Sequence, residues 1–191
     1  MAARPAPAVR AVLAAVAVAV AIAVASALLG VLAGFVWAAV APRVLIVAAG
    51  PGGPDLVNPE TTAFIVADGW FAAICVLGGA VCGLLGWLVA VRRSGPLAMA
   101  GLLAGGMAAG FAARWVGQRS GRASFAHQLA ASKTGALLHA PLTLGASGAI
   151  AFWPLAAALM VGGIELAGLI RERRARPPHP GGRHAAGQAP G

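Results

Sequence analysis

An all-α membrane fold is expected for this chain: a four-helix antiparallel transmembrane bundle with both termini cytoplasmic. Three observations point to it. No charge falls between Arg10 and Arg43, and residues 11–42 are almost all Ala, Val, Leu, Ile or Gly. A span needs about 20 apolar residues, so this stretch crosses a bilayer even when tilted. Residues 70–91 and 97–113 repeat the signal, and a last run ends at Ile170. Finally, 60% of residues are hydrophobic and 10% charged. A soluble domain carries about 25% charged residues, so a globule of this composition would lack polar surface.

Residues 1–10, with Pro5 and Pro7, read as a short disordered cytoplasmic lead. Helix 1 is expected over 11–41, closed by Pro42-Arg43. At about 1.5 Å per residue it exceeds the ~30 Å hydrocarbon layer, so it tilts, kinks near Ser26 or Gly30, or projects. A signal peptide is the minor reading, because an h-region runs only about 7–15 residues. Residues 42–69 form the first outer loop. Its runs Val44-Leu-Ile-Val47 and Phe64-Ile-Val66 flank Gly50-Pro-Gly-Gly-Pro54, the pattern of a small hairpin.

Helix 2 is expected over 70–91, with Asp68-Gly69-Trp70 capping it, since Asp complements a positive helix end. Arg92-Arg93-Ser-Gly-Pro96 makes a cytoplasmic turn, and helix 3 follows over 97–115. The second outer loop, 116–148, mixes Gly, Ser and cations with Phe125, His127, Leu129 and Leu137, and a short interfacial helix is expected in it. Helix 4 runs over 149–170. Residues 171–191 read as a disordered basic tail rich in Pro and Gly. Trp37, Trp70, Trp115 and Trp153 are expected at the outer membrane boundary and Trp87 at the inner one, the depth an indole prefers.

Net charge is +9. With the N-terminus inside, the inner segments hold nine cations and the outer ones five, which favours that orientation by the Lys/Arg bias of cytoplasmic loops. The run Arg171-Glu-Arg-Arg-Ala-Arg176 would attract anionic headgroups. No nucleic-acid partner is expected, because no aromatic interleaving or reading module accompanies the cations. The partner named by composition is the lipid bilayer of the plasma membrane.

Glycines at i,i+4 spacing recur at Gly30/Gly34, Gly79/Gly83, Gly101/Gly105 and Gly106/Gly110. Lipid provides no hydrophobic drive for helix pairing, so small residues let backbones approach and gain dispersion contacts. Packing within one bundle is the bland reading. The sharper one makes a stripe, Gly30/Gly34 for choice, face another chain in a homo- or hetero-oligomer. A similar Gly-Gly-aromatic arrangement in helices 1 and 3, and in 2 and 4, raises a hairpin duplication, with coincidence as the alternative.

Candidate functional residues are few. Asp68, Gly69 and Trp70 open helix 2, and Arg114 is a possible partner for Asp68 at the outer end of helix 3. Glu165 is the one carboxylate inside a predicted span, where ionisable groups are costly. It either reaches the inner headgroups or pairs with Arg92 or Arg93, or it is an ion site facing the bundle centre. Gly145-Ala-Ser147-Gly-Ala149 resembles the nucleophile motif of rhomboid proteases. No His follows it within the membrane to activate the Ser, so no catalytic residue is assigned. The four His residues share no ligand spacing, so neither metal nor cofactor is expected. Cys75 and Cys82, seven apart on a helix, are beyond disulfide reach and read as small core residues.

Ala41-Pro42-Arg43, Pro59-Glu60 and Phe64-Ile-Val-Ala-Asp68-Gly69-Trp70-Phe71, followed by a Gly-rich helix, resemble an actinobacterial family of four-helix membrane proteins of unknown function. The resemblance implies a small plasma-membrane protein with an ordered first outer loop, and no activity. The expected function is a non-enzymatic scaffold or accessory subunit of a cell-envelope complex. The alternative is a small transporter or channel component that uses Glu165.

Overall fold

The computed structural model describes residues 7–49, 53–58 and 62–175. The expected lead (residues 1–6), the Pro59-Glu60 motif and the tail from residue 176 lie outside the described residues. Helix α1 spans Pro7–Val40. Strands β1 (Leu45–Ala49) and β2 (Gly53–Leu56) follow, then α2 (Ala63–Gly86) and α3 (Pro96–Arg119). A ten-residue helix α4 (Arg122–Ala131), strand β3 (Leu137–His139) and α5 (Phe152–Ala175) complete the order. Four helices are long and apolar enough to cross a membrane, and the chain is a multi-pass helical membrane protein.

Helix α1 starts earlier than expected, because residues 7–10 are helical. Likewise Arg171–Ala175 extend α5 instead of opening the tail. Helix α2 does not stop at the arginines. It widens into a π-helical turn over Trp87–Val91, continues through Arg92–Ser94, and breaks only at Gly95. Gly95 has φ 59° and ψ −136°, a backbone state that a Cβ disfavours, and Pro96 then occupies the first turn of α3, where its missing N–H costs nothing. The expected five-residue turn is therefore one residue.

Successive spans alternate in direction, yet the tight seams join spans of the same direction. Along α1 and α3 the contacts advance together: Ala19 with Gly101, Ala23 with Gly105, Gly30 with Ala109, Gly34 with Ala113. A methyl group on Gly30 would overlap the Ala109 backbone, and one on Gly34 would come within 2.8 Å of the Val116 side chain. The second seam runs from Gly79 against Trp153 to Gly83 against Ala157 and Met160, joining α2 to α5. The halves meet where Gly106 abuts Pro154 and Gly110 abuts Ile150. The Gly30/Gly34 stripe, for which a second chain was one reading, is thus covered by α3. Gly162 and Gly163 touch nothing within 4 Å, so α5 does not use its glycine pair as α2 uses Gly78 and Gly79. An apolar groove of about 370 Å³ lies between α1 and α2, lined by Val18, Ile22 and Leu29 and by Cys82, Leu85 and Val89.

Two tryptophans expected at the boundary are core residues. Trp37 is 0% exposed, meets Phe71 edge-on at 5.0 Å between ring centroids, and fills space that Gly117 leaves open. Trp153 is 1% exposed and lies against Gly78 and Gly79. Indoles enter the interior here because facing glycines vacate it. Trp70 and Trp115 are exposed.

The hairpin is present with a different second strand. β1 pairs antiparallel with β2, Val47 opposite Asp55, and on its other side with β3, Val47 opposite Leu137. The order is β2-β1-β3. Both edges of β1 are taken by β2 and β3, and Phe64-Ile-Val66 forms the first turn of α2 instead.

Candidate functional site

The residues singled out from sequence separate into two clusters at opposite ends of the bundle. At the sheet-bearing end, Asp68 is not a cap: α2 begins at Ala63 after Thr62, so Asp68 sits in its second turn. From there its two carboxylate oxygens accept hydrogen bonds from the backbone N–H groups of Gly145 (3.1 Å) and Ala146 (2.7 Å). One residue earlier, the Ala67 carbonyl accepts from Trp37 Nε1 at 2.8 Å. Adjacent positions of α2 thereby clasp the end of α1 and the segment leading into α5. Among the described residues no ion pair joins Asp68 to Arg114. Gly69 has open space around it and Trp70 is exposed, so neither takes part in the clasp.

The Gly-Ala-Ser segment thus has a structural partner that its sequence alone did not name. Two consecutive N–H groups ahead of a short 3-10 turn, Ser147–Ala151, are unpaired by the helix that follows, and the Asp68 carboxylate accepts from both. Ser147 is exposed on this turn. Among the described residues no group of three His, Cys, Asp or Glu side chains is arranged to hold a metal ion.

At the other end, Glu165 accepts a 2.6 Å hydrogen bond from Trp87 Nε1. The Arg92 guanidinium stacks over the same indole, 4.9 Å from the ring centroid. Glu165 is exposed on α5 and does not face the bundle centre. Among the described residues no ion pair joins Glu165 to Arg92 or Arg93, one of the arrangements the sequence left open; Glu165 and Arg92 instead meet the same indole. The π-helical turn begins at Trp87 itself. Trp87→Phe is expected to cost about 1 kcal/mol, the worth of one hydrogen bond to a charged acceptor at an exposed position. Thermal unfolding in detergent micelles measures it, and an unchanged midpoint would remove any role for the contact.

Cys75 and Cys82 are free thiols buried in α2. No family model matches the chain, and neither a curated protein nor a solved structure was found to match it.

Proposed function

We propose that this protein is a non-enzymatic scaffold or accessory subunit of a cell-envelope complex, resident in the plasma membrane with both termini cytoplasmic. The observation that carries the reading is the sheet held above the bundle. Its inner face is packed, with Ile46 5% exposed, while Leu45 (43%) and Leu137 (63%) face away from the core. Val47, on the same face of β1 as Leu45, lies directly opposite Leu137, and among the described residues neither β2 nor β3 has a further strand partner. Apolar side chains on a sheet with unpaired edges favour a protein partner that covers them.

Gentle solubilisation of native membranes followed by size analysis tests the reading. Wild type is expected to elute in an assembly larger than one chain, and Leu45→Asp with Leu137→Asp as the single chain. Wild type found only as a monomer would overturn it.

A further inference from the structure

We propose that the sheet-side end of α3 carries a binding site for one anionic glycerophospholipid. Phe111, Ala112, Arg114, Trp115 and Gln118 line a surface depression of about 430 Å³ there. Positions 111, 114, 115 and 118 repeat at helical spacing, so they share one face of α3. The opposite faces are taken, by α1 along Gly101, Gly105 and Ala109 and by α5 at Gly106 and Gly110. Among the described residues no element covers Phe111 (54% exposed) or Trp115 (57% exposed).

Depth places this depression at the edge of the hydrocarbon. The uncharged part of α3, residues 96–113, has 18 residues, about 27 Å of helix and close to the thickness of the hydrocarbon layer. Arg114 is the first charge beyond it. The depression therefore grades from apolar (Phe111, Ala112) to polar (Arg114, Gln118), as the lipid does from acyl chain to headgroup.

Charge selects the headgroup. The Arg119 guanidinium lies 4.3 Å from the Trp115 ring centroid, held over the indole one turn beyond Arg114. Among the described residues no hydrogen bond or ion pair joins Arg114 to a carboxylate, and Asp68 is engaged by Gly145 and Ala146. The opposite end differs, because there Arg92 shares the Trp87 indole with Glu165. A lipid phosphate supplies the missing counter-charge to Arg114 and Arg119, with Gln118 donating to it and an acyl chain lying along Phe111.

Native mass spectrometry of the full chain, titrated with phosphatidylglycerol or phosphatidylcholine, tests this. Wild type is expected to retain one phosphatidylglycerol in preference to phosphatidylcholine. Arg114→Gln with Arg119→Gln should lower that affinity about 25-fold, about fivefold per cation at a membrane surface. Arg114→Lys with Arg119→Lys should keep most of it, and Arg92→Gln with Arg93→Gln should leave it unchanged. In wild type itself, a phosphatidylglycerol bearing a photoreactive acyl chain should label the peptide around Phe111. Equal retention of the two lipids, labelling confined to other helices, or displacement by free glycerol phosphate as effective as by the lipid would each overturn the proposal.

Discussion

Gly79→Val is expected to destabilise the bundle by about 3 kcal/mol, the upper range for forcing atoms into a packed interior. At Gly79 the first added carbon would overlap the Trp153 carbonyl oxygen and come within 3.0 Å of the Ala156 side chain. The obstacle is backbone, which cannot rotate aside as a side chain can. Either α2 and α5 separate along the seam or the start of α5 unwinds. Gly163→Val is the matched control: it makes the same chemical change on a neighbouring helix where nothing lies within 4 Å. It should change stability by no more than about 0.5 kcal/mol. Unfolding of both variants in mixed micelles, followed by helical circular dichroism, measures the difference. Equal effects would mean that α2 and α5 are not in contact at Gly79.

Asp68→Ala should release the segment before α5. The carboxylate is the acceptor for two consecutive N–H groups, and hydrogen bonds to a charged group contribute about 1.5–3 kcal/mol when intact. A net loss of about 2 kcal/mol is expected, because the clasp lies near the surface and water replaces part of it. Exchange of the Gly145 and Ala146 amides should then accelerate about 30-fold, while the α1–α3 seam keeps its protection. Asp68→Asn retains one carbonyl oxygen and should fall between wild type and Asp68→Ala. Exchange around residues 140–151 unchanged in Asp68→Ala would show that the carboxylate does not hold this segment.

Much of the architecture was legible in the residues. Spans emerge from uncharged runs because a charge in hydrocarbon is costly, and this constraint acts on each segment separately. The short helix in the second loop, expected between residues 116 and 148, is α4, and the strand expected near Val44 is β1. What failed did so for reasons of context. Phe64-Ile-Val66 has β-branched residues and no local feature that forbids a strand. In the folded chain it is the first turn of α2, and β1 takes β2 and β3 as its neighbours. The depth expected of Trp37 and Trp153 did not say what they pack against: both are buried, Trp37 beside Gly117 and Trp153 beside Gly78 and Gly79. Asp68 looked like a cap because Asp-Gly-Trp precedes an apolar run. Its role depends on two amides 77 and 78 positions away, and no local pattern announces such a partner.

The sequence by itself determined that this chain enters a bilayer four times, where its charges stop each span, and that small residues line its helices. Those properties follow from the free energy of each side chain in lipid, which needs no neighbour to be evaluated. Only the tertiary structure decided which glycines meet which backbone, that spans of the same direction form the tight seams, and that Asp68 and Glu165 are engaged by an amide pair and an indole. Pairing is a relation between surfaces. Many small-residue stripes are interchangeable one at a time, and only simultaneous packing of all four spans selects among them.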